Sequence, residues 1–286
     1  KEALKDEYVK ALAMEMRLWK DKVSNDVVDT IFIGGGTPSL LTEGQFDVLQ
    51  NEMVKSFHLS DKMEYTIECN PGTVDAEKLK NYKKAGVNRI SFGLQSTISS
   101  ELACLGRIHS YDDFLVSFHQ ARECGFANIN VDLMSAIPEQ TVAGYEQTLT
   151  RVCELAPEHI SSYSLILEEG TPFYEKYGEC PPVSEEEDRQ MYELTKERLS
   201  DFGYHRYEIS NYAKAGKECD HNKKYWKRFP YLGLGLGASS CMENVRFSNE
   251  QNFKTYGQKI KNGKLPVVEK EELTKEDCMA EFMYLG

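Results

Sequence analysis

Residues 27–38 of the chain read VVDTIFIGGGTP, and this stretch decides the predicted fold. Six of its first seven residues are β-branched or aromatic, which is typical of a largely buried strand. The three glycines and Thr37-Pro38 predict a sharp turn after this strand, because glycine adopts backbone conformations that other residues avoid. The unit of a short apolar run, a polar or glycine-rich turn and a helix then recurs downstream.

The recurring units predict an alternation of strands and helices. Further strands are predicted over residues 65–68, 89–95, 128–134 and 159–167, and helices over residues 43–57, 75–85, 111–124 and 141–155. Strands that alternate with helices join through right-handed crossovers into a parallel sheet. Because no strand-end turn has the G-x-G-x-x-G pattern of a dinucleotide-binding fold, we expect an open α/β barrel rather than a doubly wound sheet.

The pattern changes after about residue 170, where Cys180-Pro181-Pro182 predicts a loop. We therefore expect a partial barrel over residues 1–170, and the last barrel helix with a C-terminal α+β extension over residues 171–286. The predicted elements of the extension are a helix over 185–202, a strand over 206–209 and helical segments from residue 250, broken at Gly263 and Pro266.

Composition excludes several classes of function. The 286 residues include 46 acidic and 34 basic side chains, a formal net charge of −12, so the chain does not favour nucleic acid or an anionic membrane as a partner. No apolar stretch approaches the roughly 18 residues of a membrane helix. The opening KEALKDEYVK has no apolar signal-peptide core. We expect a soluble, cytoplasmic protein with no nucleic-acid partner and no integral membrane segment.

The eight cysteines are scattered, and no two lie closer than 20 residues apart. The chain therefore has no C-x-x-C pair and no local metal-ligand spacing. A large acidic chain of this kind more often carries reduced, half-buried thiols than disulfides. We expect no metal site on these cysteines.

Polar and glycine residues follow the predicted strands at the point where each strand ends. The set is Gly34-Gly35-Gly36-Thr37, Glu68, Gln95 and Asp132, with Ile166 and Leu167 at the last strand. In a parallel α/β fold these positions meet at one mouth. Two carboxylates and an amide bind hydroxyls and an amine, and Arg107 in a nearby turn can hold a carboxylate. The set suits a ligand with a ribose, an ammonium and a carboxylate group.

Each of these residues also has a purely structural interpretation. The glycines can form a tight turn and nothing more, and Glu68 can face solvent at its strand end. Gln95 and Asp132 can cap the helices that follow them. What favours a binding site is that all of them fall at the same level of the predicted sheet.

Several strings, taken in order, resemble one known family. They are IFIGGGTPSLL (31–41), IECNPGTV (67–74), RISFGLQS (89–96), LGRIHS (105–110), NINVDLMSAIPEQT (128–141) and SSYSLILEEGTPF (161–173). The chain resembles the radical-SAM proteins of the oxygen-independent coproporphyrinogen III oxidase family from about residue 28 onward. Residues 221–226 (HNKKYW) and 231–238 (YLGLGLGA) resemble the HemW-like branch of haem chaperones more than the oxidases.

The resemblance implies a fold and a set of cofactors. The fold would be an open (β/α)6 partial TIM barrel of the radical-SAM type with a C-terminal α+β extension. A [4Fe-4S] cluster would donate an electron to S-adenosylmethionine, which then yields a 5′-deoxyadenosyl radical. The positions that match contacts to S-adenosylmethionine in the family are Gly35, Gly36, Thr37, Glu68, Gln95, Arg107, Asp132 and, near the adenine, Ile166.

The chain departs from the family at the cluster. The family holds it with C-x-x-x-C-x-x-C in a loop after the first barrel strand, and this spacing does not occur here. Because the opening residues resemble the helix after that loop, the resemblance implies that the first strand and the cluster cysteines lie upstream of Lys1 and that the extension is also cut at its end. The chain by itself would then hold S-adenosylmethionine without cleaving it.

His221 is the candidate haem contact. One interpretation is a surface or capping histidine beside Asn222 and Trp226. The resemblance implies instead an imidazole that contacts haem or ligates its iron, with Tyr225 and Trp226 packing against the macrocycle.

Three functions therefore stay open. The first is a haem chaperone that binds haem and S-adenosylmethionine and hands the haem to an apo-haemoprotein. The second is an oxygen-independent coproporphyrinogen III oxidase, which decarboxylates the propionates of coproporphyrinogen III oxidatively to give protoporphyrinogen IX. The third is a barrel enzyme of unrelated chemistry whose strand ends bind another small molecule.

Overall fold

A computed structural model describes residues 2–178 and 180–285 of the chain. Its helices are α1 (Glu2–Lys20), α2 (Glu43–Ser56), α3 (Ala76–Lys84), α4 (Ser99–Cys104), α5 (Tyr111–Glu123), α6 (Val142–Glu154), α7 (Pro172–Tyr177), α8 (Glu185–Asp201), α9 (Asp220–Trp226), α10 (Phe253–Lys261) and α11 (Lys275–Leu285), with a 3₁₀ turn at Pro38–Leu40. Its strands are β1 (Val27–Ile33), β2 (His58–Cys69), β3 (Arg89–Gln95), β4 (Ile129–Ser135), β5 (His159–Ser164), β6 (His205–Arg206), β7 (Asn211–Ala213), β8 (Ser239–Met242), β9 (Val245–Asn249) and β10 (Val267–Glu272).

The large sheet has the strand order β1-β2-β3-β4-β5-β7-β6. Strands β2 to β5 pair in parallel and in sequence order, whereas β7 runs antiparallel to β5. The parallel strands are joined by helices, as the alternation of strands and helices in the sequence predicts. A second, three-stranded antiparallel sheet has the order β10-β9-β8.

The chain forms two compact units, each built from separate segments. The first unit comprises Lys1–Ile31, Leu41–Glu64 and Asp220–Gly286, and the second comprises Phe32–Leu40 and Tyr65–Cys219. Because these units combine distant segments, they do not test the predicted division at residue 170, which stays a prediction.

The parallel strands of the second unit have one apolar and one polar face. In β3, Ile90, Phe92 and Leu94 are fully buried, and in β4 the same holds for Ile129, Val131 and Leu133. The residues between them are polar or glycine, and successive side chains of a strand point to opposite faces. One face therefore forms the apolar core, and the other carries the polar residues Arg89, Ser91, Asn130 and Asp132.

Side-chain caps begin the helices that follow the strand-end turns. Asp75 accepts a hydrogen bond from the Lys78 amide before α3, and Thr141 accepts one from the Gly144 amide before α6. Ser110 forms a reciprocal capping box with Asp113 before α5. Each cap of this kind contributes about 1 kcal/mol to helix stability. The caps thus fix where each turn ends and where its helix starts.

Several predicted boundaries are wrong. Strand β5 ends at Ser164, so residues 165–167 are not part of it, and the strand predicted over 206–209 is the two-residue β6. Residues 267–272, predicted within a broken helical stretch, form β10, which pairs with β9. The sequence VVEKEE is charged, and pairing with β9 stabilises its extended conformation, because β structure depends on cross-strand context.

Candidate functional site

A cavity of about 170 Å³ lies at the carboxyl ends of the parallel strands, within the second unit. Its lining includes six of the predicted residues, namely Gly36, Thr37, Glu68, Gln95, Arg107 and Asp132. The sheet therefore brings together side chains that lie up to a hundred positions apart in the sequence, as a parallel sheet should. That these residues bind a ligand stays a prediction.

The glycine turn after β1 packs directly against Glu68. A Cβ on Gly34 would lie 2.7 Å from Cδ and from Oε1 of Glu68, which is closer than real Cβ contacts. The next residue, Gly35, has a φ of +76° and donates its N–H to Glu68 Oε2 at 3.2 Å. A side chain at position 34 would displace the Glu68 carboxyl group, and the positive φ of Gly35 favours glycine at that position.

The carboxyl group of Glu68 binds its proton more tightly than an ordinary glutamate does. Removal from water and the nearby charge of Asp132 raise the pKa of Glu68 to about 7, and the hydrogen bond from Gly35 opposes the rise only in part. Two carboxyl groups in one cavity disfavour each other's ionisation. Near neutral pH this side chain therefore exchanges a proton easily, and a cation in the cavity would favour its charged form.

Asp132 is held by hydrogen bonds from three polar side chains, Ser91, Asn130 and Ser161. Ser91 donates its hydroxyl to Oδ2 at 3.0 Å, and Asn130 Nδ2 donates to Oδ1 at 2.7 Å. Burial raises the pKa of Asp132, while these hydrogen bonds and the charge of Arg89 oppose the rise. Asp132 is thus a fixed acceptor that lines the cavity, and it does not cap a helix as its structural interpretation would require.

Gln95 and Arg107 have polar groups that no described side chain satisfies. Among residues 2–178 and 180–285, neither side chain forms a hydrogen bond or an ion pair, although Arg107 is close enough to Asp132 for the two charges to interact. Gln95 has a φ of +73° at a register shift between β3 and β4, which turns it into the cavity. A positive φ costs a non-glycine residue about 1–2 kcal/mol. An amide and a guanidinium held without partners are available to a polar, anionic ligand group.

Four further cavity residues are absent from the predicted set, namely Pro38, Cys69, Asn70 and Gly93. Asn70 Nδ2 lies 3.3 Å from Thr37 Oγ1, which ties the end of β2 to the turn after β1. A Cβ on Gly93 would lie 3.2 Å from Asn70 Oδ1, so glycine leaves room for this side chain. The Asn70-Pro71-Gly72 turn in the sequence was the available signal, since Asn70 directly follows the strand.

Ile166 and Gly35 lie outside the cavity lining. Ile166 follows the early end of β5 and is 77% exposed, so its contact with an adenine stays a prediction. Gly35 contributes through its hydrogen bond to Glu68.

His221 lies in the first unit, at the start of α9, with both ring nitrogens near hydroxyl groups. Nδ1 is 2.9 Å from Thr30 Oγ1, and Nε2 is 2.9 Å from the Tyr225 hydroxyl. The backbone N–H groups of Asp220 and His221 both donate to the Glu64 carboxylate at 3.0 Å. A ligand atom that approaches Nε2 must therefore displace the Tyr225 hydroxyl.

The cysteines do not form a cluster site. Within the described residues, no three histidine, cysteine or acidic side chains group as metal ligands, and all eight thiols are free. Cys69 is buried beside Glu68, and burial raises its pKa, so it remains a thiol. The residues present do not fit a [4Fe-4S] cluster.

Among the described helices, none combines the length and the apolar character that crossing a bilayer requires.

Comparison with known proteins identifies the family. Residues 4–152 match the family model of the Radical SAM superfamily. The chain is 41% identical over 286 residues to the heme chaperone HemW of Bacillus subtilis, covering 98% of this chain and 75% of the relative. The chain is a member of the HemW family. It is also 38% identical to HemW of Escherichia coli, over 82% of this chain and 61% of that relative.

The fold is confirmed by a solved structure. The chain matches the radical SAM enzyme coproporphyrinogen III oxidase (HemN) of Escherichia coli with a TM-score of 0.87 at 23% identity, over 98% of this chain and 67% of that chain. The predicted α/β partial barrel of the radical-SAM type is therefore correct. The chain spans about 61% to 75% of the length of the HemW relatives described above. Membership in the superfamily implies S-adenosylmethionine and a [4Fe-4S] cluster as cofactors.

Proposed function

We propose that the strand-end cavity binds S-adenosylmethionine. The observation that carries this proposal is that the unpaired groups of Gln95 and Arg107 share one cavity with the carboxyl groups of Glu68 and Asp132. The ligand has a carboxylate for Arg107, an ammonium for Glu68 and ribose hydroxyls for Asp132 and Gln95. Gly35, Gly36 and Thr37 would lie along its methionine and ribose parts.

The size of the cavity agrees with partial enclosure of such a ligand. Pockets that bury a drug-sized ligand measure roughly 300–1,000 Å³, and this cavity measures about 170 Å³. We infer that it holds the polar groups and that the adenine lies outside, on the side where Ile166 is predicted to contact it. S-adenosylmethionine would supply 5′-deoxyadenosyl radical chemistry where a reducing cluster accompanies it, and the residues described here would only bind and orient the ligand.

Calorimetric titration with S-adenosylmethionine tests this proposal. Glu68→Ala and Asp132→Ala should each remove most of the binding heat, because each leaves a cationic or hydroxyl group of the ligand without its acceptor. The matched control is Asp112→Ala, which removes an exposed carboxylate of α5 and should leave the heat unchanged. Undiminished heat in both cavity variants would refute the assignment.

We further propose that the protein is a haem chaperone, which binds haem in the cytoplasm and transfers it to an apo-haemoprotein. Membership in the HemW family supports this function. His221 is the proposed haem contact, with Tyr225 and Trp226 against the macrocycle. If Nδ1 donates its proton to Thr30, the lone pair of Nε2, which accepts from Tyr225, is the one that would bind iron.

Haem titration at the Soret band tests this contact. His221→Ala should weaken binding, whereas Tyr225→Phe should strengthen it because no hydroxyl then competes for Nε2. His119→Ala, an exposed histidine of α5, controls for nonspecific binding to surface imidazoles. Identical titrations for wild type and His221→Ala would remove His221 from the haem site.

Haem transfer tests the chaperone function itself. Haem-loaded protein mixed with apo-myoglobin should give the spectrum of the haem-containing recipient. If the intact protein instead converts coproporphyrinogen III to protoporphyrinogen IX with S-adenosylmethionine and a reductant, the oxidase alternative is correct.

A further inference from the structure

A chain of hydrogen bonds leads from the interior of the second unit to Asp132. His159, which is fully buried, lies with Nδ1 2.5 Å from Asn130 Oδ1 and Nε2 2.7 Å from the Tyr207 hydroxyl. Asn130 in turn contacts Asp132 at 2.7 Å. The Cys219 N–H lies 3.3 Å from the Tyr207 oxygen. None of His159, Asn130 and Tyr207 lines the cavity.

The donor and acceptor groups determine the direction of each hydrogen bond in this series from Cys219 to Asp132. In its charged form, which Ser91 and the charge of Arg89 favour, Asp132 only accepts, so Asn130 presents its amide nitrogen to Oδ1. The Asn130 oxygen then faces His159, whose Nδ1 must carry a proton. The neutral ring consequently accepts at Nε2 from the Tyr207 hydroxyl, whose oxygen accepts from the Cys219 N–H. All donors therefore point towards Asp132.

Two neighbours reinforce this arrangement. Ser161 donates its hydroxyl to the same Asn130 oxygen at 3.1 Å, and Asn130 Nδ2 also lies 2.7 Å from Ser91 Oγ. A flipped amide would place an oxygen against the Asp132 carboxylate and an N–H₂ group against two donors. Because each wrong contact leaves a buried polar group unsatisfied, the amide has one stable orientation.

The ring of His159 stays neutral. Burial and the charge of Arg89 hold the pKa of His159 well below its usual range. Arg89 is 1% exposed, and its Nε has no hydrogen-bond partner among the described residues. A positive charge on His159 beside this guanidinium is disfavoured, so the directions of these hydrogen bonds do not change around neutral pH. Because the Asn130 amide lies between the imidazole and the carboxylate, no proton passes from one to the other. These hydrogen bonds therefore serve to orient Asp132.

We infer that His159 and Tyr207 are positioning residues, which act through Asn130 to hold the Asp132 carboxylate in the orientation that binds the ligand of the cavity. This inference rests on the proposed S-adenosylmethionine site. His159 touches no ligand, and it controls which atoms of Asn130 face Asp132.

Paired tyrosine variants separate this role from general stability. Tyr207→Phe and Tyr145→Phe each remove a hydroxyl that is hydrogen-bonded within the second unit. Tyr145 contacts Ser162 and Thr195, outside the chain to Asp132. Calorimetry with S-adenosylmethionine should show affinity reduced about tenfold in His159→Phe and by a smaller factor in Tyr207→Phe, with Tyr145→Phe unchanged.

Nitrogen NMR of the imidazole provides a readout that does not depend on the ligand. In the wild type, His159 should show a protonated Nδ1 and an unprotonated Nε2 from pH 8 down to pH 5. A protonated Nε2 at neutral pH would overturn the inference, whatever the affinity. Equal loss of affinity in both tyrosine variants, or none in His159→Phe, would also overturn it. A wild type that has the expected tautomer but binds no S-adenosylmethionine would instead contradict the proposed function.

Discussion

Replacing Glu68 with glutamine should stabilise the folded protein at neutral pH while removing its capacity to bind a cation. The environment raises the pKa of Glu68 from its ordinary value of 4.5 to about 7. In the folded state the carboxylate therefore holds its proton more tightly than in the unfolded chain. The resulting stability is fully present below about pH 4.5 and is lost as the pH rises to about 7.

The magnitude follows from this shift. Each pKa unit corresponds to about 1.4 kcal/mol, so the full shift would lower the free energy of unfolding by about 3 kcal/mol above pH 7. The side chain is partly exposed to the cavity, which reduces the expected cost to about 1–2 kcal/mol. Glutamine has nearly the same shape and accepts the Gly35 hydrogen bond without a charge. The variant should therefore gain about 1–2 kcal/mol at pH 8 and little at pH 4.5.

Urea denaturation of both proteins at pH 4.5, 6 and 8 measures this gain. Glu123→Gln, which neutralises an exposed glutamate of α5, is the matched control and should change stability by less than about 0.5 kcal/mol at each pH. A Glu68→Gln variant that is less stable than wild type at pH 8, or that shows the same difference at all three pH values, would refute the reasoning.

Three further predictions concern other parts of the two units. Gly34→Ala should weaken binding of S-adenosylmethionine, measured by calorimetry, because the new Cβ, 2.7 Å from Glu68 Cδ, would displace the Glu68 carboxyl group from its place in the cavity; Gly44→Ala in α2 meets no atom within 4 Å and should bind normally. Arg107→Met should weaken binding of S-adenosylmethionine by at least tenfold and leave binding of its decarboxylated analogue nearly unchanged, since the guanidinium is assigned to the ligand carboxylate. Glu15→Ala should lower the free energy of unfolding by about 3 kcal/mol in urea titrations, because this buried carboxyl group accepts hydrogen bonds from the Gly235 amide, the Tyr256 hydroxyl and the Asn249 amide; a loss below 1 kcal/mol would contradict that role.

The site at the strand ends could be predicted from the sequence because strands and turns leave local, periodic signals. The strands that contain Glu68 and Asp132 can be placed from apolar runs and turns. Parallel pairing then brings their carboxyl ends to the same edge of the sheet. Gln95 belongs to the same logic, although its positive φ at the register shift could not be foreseen. Ile166 fell outside the cavity lining because β5 ends at Ser164, and strand ends are set by pairing rather than by composition.

The surroundings of His221 could not be predicted, because its partners come from distant segments. Thr30 and Glu64 lie more than 150 positions away in the sequence, and nothing in HNKKYW indicates them. Tyr225 is one helical turn away, so this contact was within reach of the i, i+4 rule. Side chains brought together by tertiary structure leave no periodic signal.

The polar face of the sheet explains how the cavity holds charges that repel each other. Glu68 and Asp132 raise the cost of each other's ionisation, while Arg89 and the donors Ser91 and Asn130 favour a charged Asp132. These hydrogen bonds and the charge of Arg89 favour the charged form of Asp132, whereas Glu68, whose pKa is raised to about 7, takes up or releases a proton near neutral pH. A ligand with an ammonium and a sulfonium group relieves the repulsion and draws Glu68 into its charged form. Binding at pH 7 should then release part of one proton, and a neutral ligand of the same shape would gain nothing from this arrangement. This charge pattern supports the proposal that the cavity binds S-adenosylmethionine, which is a cation that also carries a carboxylate.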